Sequence, residues 1–275
     1  MATGRLKAQA RIRRGYFECR HGQVHVHNAI PPGGGFDEAT PLIALHHTPM
    51  SGAAFGALLP LLGQDRSVYA PDLPGFGESD PPPSRPSVSD YAQAIGDVCD
   101  SMRFRQVDVV GYQSGSLVAA ELALARPTTV RRLACIGVVF ASDAEREALR
   151  RAPWPLQPLE DGSHLALEWE RTRRATRSAL TLERSAHLFA EKLRNGPHAW
   201  WAMLAALDYP ARERLSRVTQ PTLIIRPKDE WWMGTLRARE LMPKAKLTDL
   251  TDVGEEALES APERISELLL GFLTP

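Results

Sequence analysis

The most informative stretch of this sequence is Val107-Asp-Val-Val-Gly-Tyr-Gln-Ser-Gly-Ser-Leu-Val-Ala-Ala-Glu-Leu122. Its start is a short apolar run with β-branched residues, which predicts a buried strand, and its end is rich in good helix formers, which predict a helix. We interpret the segment between them, Gly111 to Gly115, as a tight turn of the G-x-S-x-G type. The glycines would leave room for Ser114 to adopt a strained conformation with an exposed hydroxyl. Because the helix that follows directs free N–H groups at the same place, the turn suits a nucleophile and a developing oxyanion.

Strands and helices alternate on both sides of this stretch. Over residues 41–140 the order is strand, helix, strand, helix, strand, helix, strand, which predicts a parallel sheet covered by helices on both faces. The alternation stops over residues 141–217, where Arg, Ala, Leu and Glu dominate, and resumes at Pro221. We therefore expect an α/β protein whose core comprises residues 1–140 and 218–275, with residues 141–217 forming a helical cap.

The composition is that of an ordinary globular protein. The chain has 275 residues, a formal net charge of zero and three cysteines, and no C-x-x-C pair. Without a basic excess we expect no nucleic-acid partner, and nothing indicates a cofactor. The N-terminus lacks the apolar segment of a signal peptide, and no apolar run approaches the ~18 residues of a membrane span. We expect a cytoplasmic protein without a membrane partner, and a homodimer stays an open alternative.

Two histidines on one predicted strand raise the question of a metal site. His25 and His27 share a strand face because side chains alternate with period two. No third ligand is evident nearby in the sequence. We therefore expect both to be solvent-facing residues of an edge hairpin, and we predict no metal site.

Five ordered segments resemble those of the α/β-hydrolase superfamily, over nearly the full chain. They are His46-His-Thr-Pro49, Asp72-Leu-Pro-Gly-Phe-Gly-Glu-Ser-Asp80, Gly111-Tyr-Gln-Ser-Gly115, Pro221-Thr-Leu-Ile-Ile225 with Asp229 beyond it, and Asp252-Val-Gly254 with Glu259-Ser-Ala-Pro-Glu263. The sequence departs from the family at one important position: Glu255 follows Gly254 where the family has its catalytic histidine. The usual order of serine, acid and histidine therefore lacks its base.

The resemblance implies a role for each of several residues. Ser114 would be the nucleophile, and the N–H groups of Gly115 and Thr48 would form the oxyanion hole. Asp229 and Glu255 would form an acidic pair in which one carboxyl has a raised pKa, because two like charges cannot both ionise cheaply at close range. His47, beside the expected oxyanion hole, is the histidine we expect to replace the missing base.

We also expect a set of residues to contact the substrate, as members of the turns at the sheet edge or of the cap. They are His46, Gln113, Trp154, His164 and Trp231. The aromatic side chains favour a small apolar or aromatic carbonyl compound.

Ester or thioester hydrolysis is the activity that the resemblance favours first. Two alternatives stay open because the fold hosts many chemistries. One is a lyase, decarboxylase or cyclase that uses the oxyanion hole without an acyl-enzyme. The other is a non-catalytic protein that binds its ligand in a degenerate site.

Overall fold

The structure is a computed structural model that describes residues 9–34, 38–152, 158–176 and 180–274. Eight strands form a single sheet. They are β1 (Arg11–Cys19), β2 (Gly22–Ile30), β3 (Leu42–Leu45), β4 (Val68–Pro71), β5 (Val107–Tyr112), β6 (Val130–Ile136), β7 (Thr222–Pro227) and β8 (Lys246–Leu250). Their order across the sheet is β1-β2-β4-β3-β5-β6-β7-β8.

Helices connect most of the strands. They are α1 (Leu59–Leu62), α2 (Val88–Ser101), α3 (Ser114–Ala125), α4 (Asp143–Arg151), α5 (Ser163–Thr176), α6 (Leu182–Arg194), α7 (Trp201–Asp208), α8 (Ala211–Leu215), α9 (Trp232–Leu241), α10 (Ala257–Ser260) and α11 (Pro262–Leu273). Two short 3₁₀ turns, Gly52–Phe55 and Gly196–His198, add to them.

The sheet is mostly parallel, as the alternation of strands and helices predicts. The hairpin β1–β2 is antiparallel and β2 joins β4 antiparallel, whereas every pairing from β4 onward is parallel. The carboxyl ends of β3, β5 and β7 therefore meet at one edge of the sheet, where ligands of open α/β sheets bind.

Apolar side chains cover both faces of the sheet. One cluster includes Ile95 of α2 and Leu117 of α3. The other includes Leu62 of α1 and Leu269 of α11. Helix α3 is buried over nearly its whole length, because it lies between the sheet and neighbouring helices, and this fixes the turn before it.

The described part of residues 141–217 is helical. The helices in its middle and those at its end pack against different partners. Helices α5 and α6 contact each other. Helices α7 and α8, in contrast, contribute Met203 and Leu215 to the same core cluster as α2 and α3. The last part of residues 141–217 thus packs as part of the core.

The prediction that His25 and His27 face solvent is wrong. Strand β2 is not an edge strand, because it pairs with β1 on one side and β4 on the other. His25 is buried at 4% exposure and His27 is half-buried. No helix in the described ranges combines the length and the apolar character needed to cross a membrane.

Candidate active site

The turn between β5 and α3 holds Gln113 in an unusual backbone conformation. Gln113 has φ 48° and ψ −110°, a region that costs a non-glycine residue about 1–3 kcal/mol and is found mostly at functional sites. A Cβ on Gly111 would lie 2.3 Å from the Gly115 carbonyl oxygen, and a Cβ on Gly115 would lie 2.2 Å from the Leu45 carbonyl oxygen. The close approach of strand and helix thus requires both glycines, and the residue midway between them is Gln113.

The prediction of Ser114 as the strained nucleophile is therefore wrong by one position. Ser114 is the first residue of α3 and is 2% exposed. It is absent from the lining of the cavity described below. Its Oγ accepts a hydrogen bond of 2.9 Å from the Thr48 N–H, and no acid or histidine of the described residues bonds to it. A buried hydroxyl without a base cannot be activated for attack.

The same shift of one residue changes the oxyanion hole. The N–H that follows the strained residue belongs to Ser114 rather than to Gly115. At the first position of α3 this N–H has no partner within the helix. The second predicted donor, the Thr48 N–H, is engaged by Ser114 Oγ. A carbonyl oxygen would therefore have to displace that hydroxyl to use both donors.

Asp229 follows β7 and reaches the strained turn. Gln113 Nε2 donates a hydrogen bond of 3.1 Å to Asp229 Oδ2, and the Trp231 N–H donates one of 2.9 Å to Oδ1. Burial raises the pKa of Asp229 to about 7, and the nearby charge of Glu255 adds to the rise. Asp229, which the sequence predicts as the acid, is thus hydrogen-bonded to the amide of Gln113 rather than to a histidine.

Glu255 lies close to the loop of Asp229. The resemblance of residues 252–263 to the family segment that contains the histidine predicts this location. Oε1 of Glu255 accepts a hydrogen bond of 2.8 Å from the N–H of Glu230, the residue after Asp229. Burial raises the pKa of Glu255, while the Glu230 N–H and the charge of Lys192 act in the opposite direction. The charge of Glu255 acts on Asp229, and both carboxyl groups are easier to protonate than in water.

Two further carboxyl groups, which sequence reasoning missed, extend this pair. Burial also raises the pKa of Glu230 and of Glu256, and the positive charge of Lys192 lowers both in part. Glu256 has a positive φ of 55°. The only sequence signal for Glu256 is its place next to Glu255, and Lys192 gives none, because it comes from α6.

His47 lies in the cavity wall but is a poor base. Burial lowers its pKa to about 3, and the charges of His46 and Lys192 act in the same direction. Its ring packs against Tyr112 with centroids 4.6 Å apart, and among the described residues its buried Nδ1 has no hydrogen-bond partner. A neutral imidazole of such low basicity does not replace the missing histidine.

His46 is fully buried and stabilises the loop after β3 through two hydrogen bonds. Its Nε2 accepts a hydrogen bond of 2.9 Å from the Leu73 N–H, and its Nδ1 donates one of 2.9 Å to the His47 carbonyl oxygen. Both ring nitrogens are thereby occupied. The prediction that His46 contacts substrate is wrong for this reason.

A cavity of about 460 Å³ opens between the sheet edge and the helical segment. Its lining combines aromatic and apolar side chains with both carboxyl and cationic groups. The lining includes His47, Gln113, Lys192, Trp200, Trp231 and Glu255. The predicted contacts Gln113 and Trp231 therefore face this cavity.

A second cavity of about 480 Å³ adjoins the first and shares Pro49, Lys192 and Trp200 with it. His164 lines this second cavity, and its Nδ1 accepts a hydrogen bond of 3.1 Å from the Leu159 N–H. The remaining predicted contact, Trp154, lies outside the described residues.

The family model of the alpha/beta hydrolase family matches residues 25–268. The chain belongs to the alpha/beta hydrolase family. Its curated relatives include a 2-hydroxymuconate semialdehyde hydrolase of Pseudomonas sp. (strain CF600), 34% identical over 48% of this chain and 46% of the relative. They also include an (E)-2-((N-methylformamido)methylene)succinate hydrolase of Acinetobacter baylyi, 27% identical over 48% of this chain and 49% of the relative. The alignments thus span about half the length of these hydrolases.

Solved structures of this family share the fold. A thermophilic esterase from Thermogutta terrifontis superimposes with a TM-score of 0.76 at 19% identity, covering 95% of this chain and 98% of the esterase. An enol-lactonase from Burkholderia xenovorans gives a TM-score of 0.75 at 15% identity, covering 95% and 100%. At such identities the likeness concerns the fold alone. The curated relatives named above are hydrolases, and the chemistry of this member of the family follows from its own residues.

Proposed function

We propose that this protein acts on a small apolar carbonyl compound by proton transfer, without an acyl-enzyme intermediate. The observation that carries this proposal is Gln113 at the strained turn, with its amide bonded to Asp229. The lone pair of an amide nitrogen is delocalised, so Gln113 cannot attack a carbonyl carbon as a serine would. Ester or thioester hydrolysis through Ser114 would need a group that is buried and without a base.

Two backbone donors support stabilisation of negative charge on a carbonyl oxygen. The Ser114 N–H lies at the positive end of α3. The Thr48 N–H becomes available when the Ser114 hydroxyl rotates away from it. Donors fixed in this way contribute about 3 kcal/mol each where charge develops in the transition state. An enolate benefits from them as much as a tetrahedral intermediate does.

The carboxyl pair supports the proton transfer itself. With a raised pKa, Glu255 can take a proton from the carbon next to the carbonyl group, and the electron pair moves onto the carbonyl oxygen. The protonated carboxyl then returns a proton to the same or another carbon. Asp229, with a pKa of about 7, can share that proton at neutral pH. These steps describe an isomerase; a lyase would share the first step and then expel a leaving group from the carbon beyond the enolate, with the carboxyl proton passing to that group.

The cavity supports a compact substrate with an apolar body. Trp200, Met203 and Trp231 provide apolar surface, and carboxyl groups such as that of Glu255 line the same cavity. One curated relative is named for a semialdehyde substrate, which is a carbonyl compound. We further propose that the helices α4 to α6 form the lid of this cavity.

The experiment that tests the proposal is solvent exchange. A panel of small aldehydes and ketones is incubated with the protein in D₂O, and deuterium at the carbon next to the carbonyl is followed by NMR. We expect exchange of at least one compound, reduced about 10²- to 10⁴-fold by Glu255→Gln and unchanged by Glu263→Gln, an exposed glutamate of α11. We also expect no adduct with a fluorophosphonate probe by intact mass. A stoichiometric adduct with the unmodified protein contradicts the proposal.

A second candidate function is ligand binding without turnover. The hydrogen bond from the Thr48 N–H to Ser114 Oγ favours it, because an internal hydroxyl fills half of the oxyanion hole. In that case compounds of the same panel raise the melting temperature while no exchange and no product are found. Exchange that depends on Glu255 rules out this candidate.

A further inference from the structure

A cluster of two histidines and an aspartate lies apart from the catalytic residues. His25 and His27 come from β2, and Asp72 follows β4. His25 Nδ1 is 2.9 Å from Asp72 Oδ2, and His27 Nε2 is 3.5 Å from Asp72 Oδ1. The three possible ligand atoms all lie within 4.8 Å of one another. Asp72 is far from the two histidines in the sequence. It becomes the third possible ligand because β2 pairs with β4.

We propose that His25, His27 and Asp72 form a binding site for a divalent transition-metal ion of the zinc type. Imidazole and carboxylate ligands bind Zn²⁺ at roughly 2.0–2.2 Å. The two histidine–carboxylate separations, 2.9 and 3.5 Å, lie on either side of the roughly 3.3 Å between neighbouring ligands of a tetrahedral ion at such distances. Only small side-chain shifts are therefore needed to admit the ion.

The electrostatics of Asp72 favour a cation. Asp72 is 1% exposed, and among the ion pairs of the described residues its only partners are the two histidines. A buried carboxylate without a Lys or Arg partner is costly, and a bound cation would compensate it.

The surroundings hold the three ligands in place. The Gly52 N–H donates to Asp72 Oδ1 over 2.8 Å and the Glu78 N–H donates to Oδ2 over 2.9 Å. The rings of His25 and His27 are nearly perpendicular, with centroids 4.6 Å apart. Support of this kind orients ligands and strengthens metal binding. His27 is partly exposed, so water can supply the remaining coordination position.

Metal binding here would join segments that shape the active site. The Asp72 loop contacts Gly52 through its carboxylate, and Gly52 lies just beyond the loop of Thr48. The ion would thereby link β2 to the loop that follows β3. Each neutral imidazole would bind through its unprotonated nitrogen and carry its proton on the other, so acid should release the metal. We expect a structural ion rather than a catalytic one.

The test uses full-length protein without a histidine tag, first treated with a chelator. Co²⁺ is titrated while its visible absorption is recorded, and Zn²⁺ is titrated by calorimetry with melting temperatures measured in parallel. We expect one ion per chain and a rise in melting temperature at pH 7.5. The variant His27→Gln should bind at least about tenfold more weakly, whereas His187→Gln, at an exposed position of α6, should bind as the unmodified protein does.

Two results would overturn the proposal. One is the absence of both the Co²⁺ band and the thermal shift at saturating metal. The other is binding that persists in the double variant His25→Gln/His27→Gln, since the ion would then lie elsewhere. If His27→Gln does not fold, the imidazole C–H signals of the unmodified protein decide: Zn²⁺ should shift two of them in NMR spectra, and signals that all stay unchanged exclude imidazole ligands.

Discussion

The side-chain amide of Gln113 donates a hydrogen bond of 3.1 Å to Asp229, a residue 116 positions away. This contact joins the strained turn after β5 to the loop after β7. The family has a nucleophile at this turn and a histidine beside the acid. This protein has the amide of Gln113 at the first of these positions and the carboxyl group of Glu255 at the second. An aspartate thus remains at the position predicted for the acid, while the residues at the two neighbouring positions differ from those of the family.

Restoring the two replaced residues should create esterase activity. The double variant Gln113→Ser/Glu255→His places a hydroxyl at the strained position and an imidazole beside Asp229. We expect its hydrolysis of activated esters to exceed that of the unmodified protein by about 10²- to 10⁴-fold, because triad members act as a unit. Each single change should give much less. The measurement is the initial rate with p-nitrophenyl acetate.

The same experiment separates the two candidate positions for the nucleophile. Adding Ser114→Ala to the double variant should leave the new activity in place, since Ser114 is absent from the cavity lining. Loss of the activity in this triple variant, together with a phosphonate adduct on Ser114, would mean that Ser114 is the attacking group after all.

Asp229 should make the protein less stable as the pH rises from about 4 to about 7. Its pKa is raised from 3.8 to about 7 in the folded state, mainly by burial. The folded protein therefore binds an additional proton between these values, and the free energy of unfolding falls by about 1.4 kcal/mol per unit of pKa shift across that range. Urea unfolding between pH 4 and pH 8 measures this slope.

The variant Asp229→Asn should flatten the slope and be more stable than the unmodified protein above pH 7. Asp143→Asn, at an exposed position of α4, is the matched control and should keep the slope. Parallel curves for the unmodified protein and Asp229→Asn would show that Asp229 is ionised throughout.

His47 should stay neutral between pH 5 and pH 8. Burial lowers its pKa to about 3, so its ring carries almost no charge in this range. The imidazole C–H signals are recorded by NMR across the range, and His47 is assigned by the signal missing from His47→Gln. A constant chemical shift is expected. A titration midpoint near 6 or 7 would restore His47 as a candidate base.

Gly115 should be essential for stability. A Cβ at this position would lie 2.2 Å from the Leu45 carbonyl oxygen and 2.5 Å from that of His46, and the backbone cannot yield as a flexible side chain does. We expect Gly115→Ala to lower the free energy of unfolding by about 3 kcal/mol. Gly271→Ala in α11 has nothing within 4 Å of the new Cβ and should instead be stabilising, by about 0.5–1 kcal/mol. Equal effects of the two substitutions in urea titrations would contradict this difference.

Several features of the protein follow from the sequence by itself. The alternation of apolar runs and helical segments predicts the parallel sheet, because periodicity is a local property of the chain. The segment from Asp252 to Glu263 predicts that Glu255 occupies the position of the family's histidine, and Glu255 does lie beside the Asp229 loop. The sequence interpretation nevertheless placed the strained position at Ser114, one residue too far along. The backbone angles of Gln113 correct it.

Other features depend on contacts between distant segments, which only the tertiary structure decides. The pairing of β2 with β4 buries His25 and brings it to Asp72, 47 positions away. Lys192 of α6 lines the same cavity as Glu255, 63 positions later in the chain. The basicity of His47 is likewise set by burial, since the same side chain in water would have a pKa near 6.5. Residue types and their spacing determine the frame of the site, while desolvation and long-range contacts determine what each group in it can do.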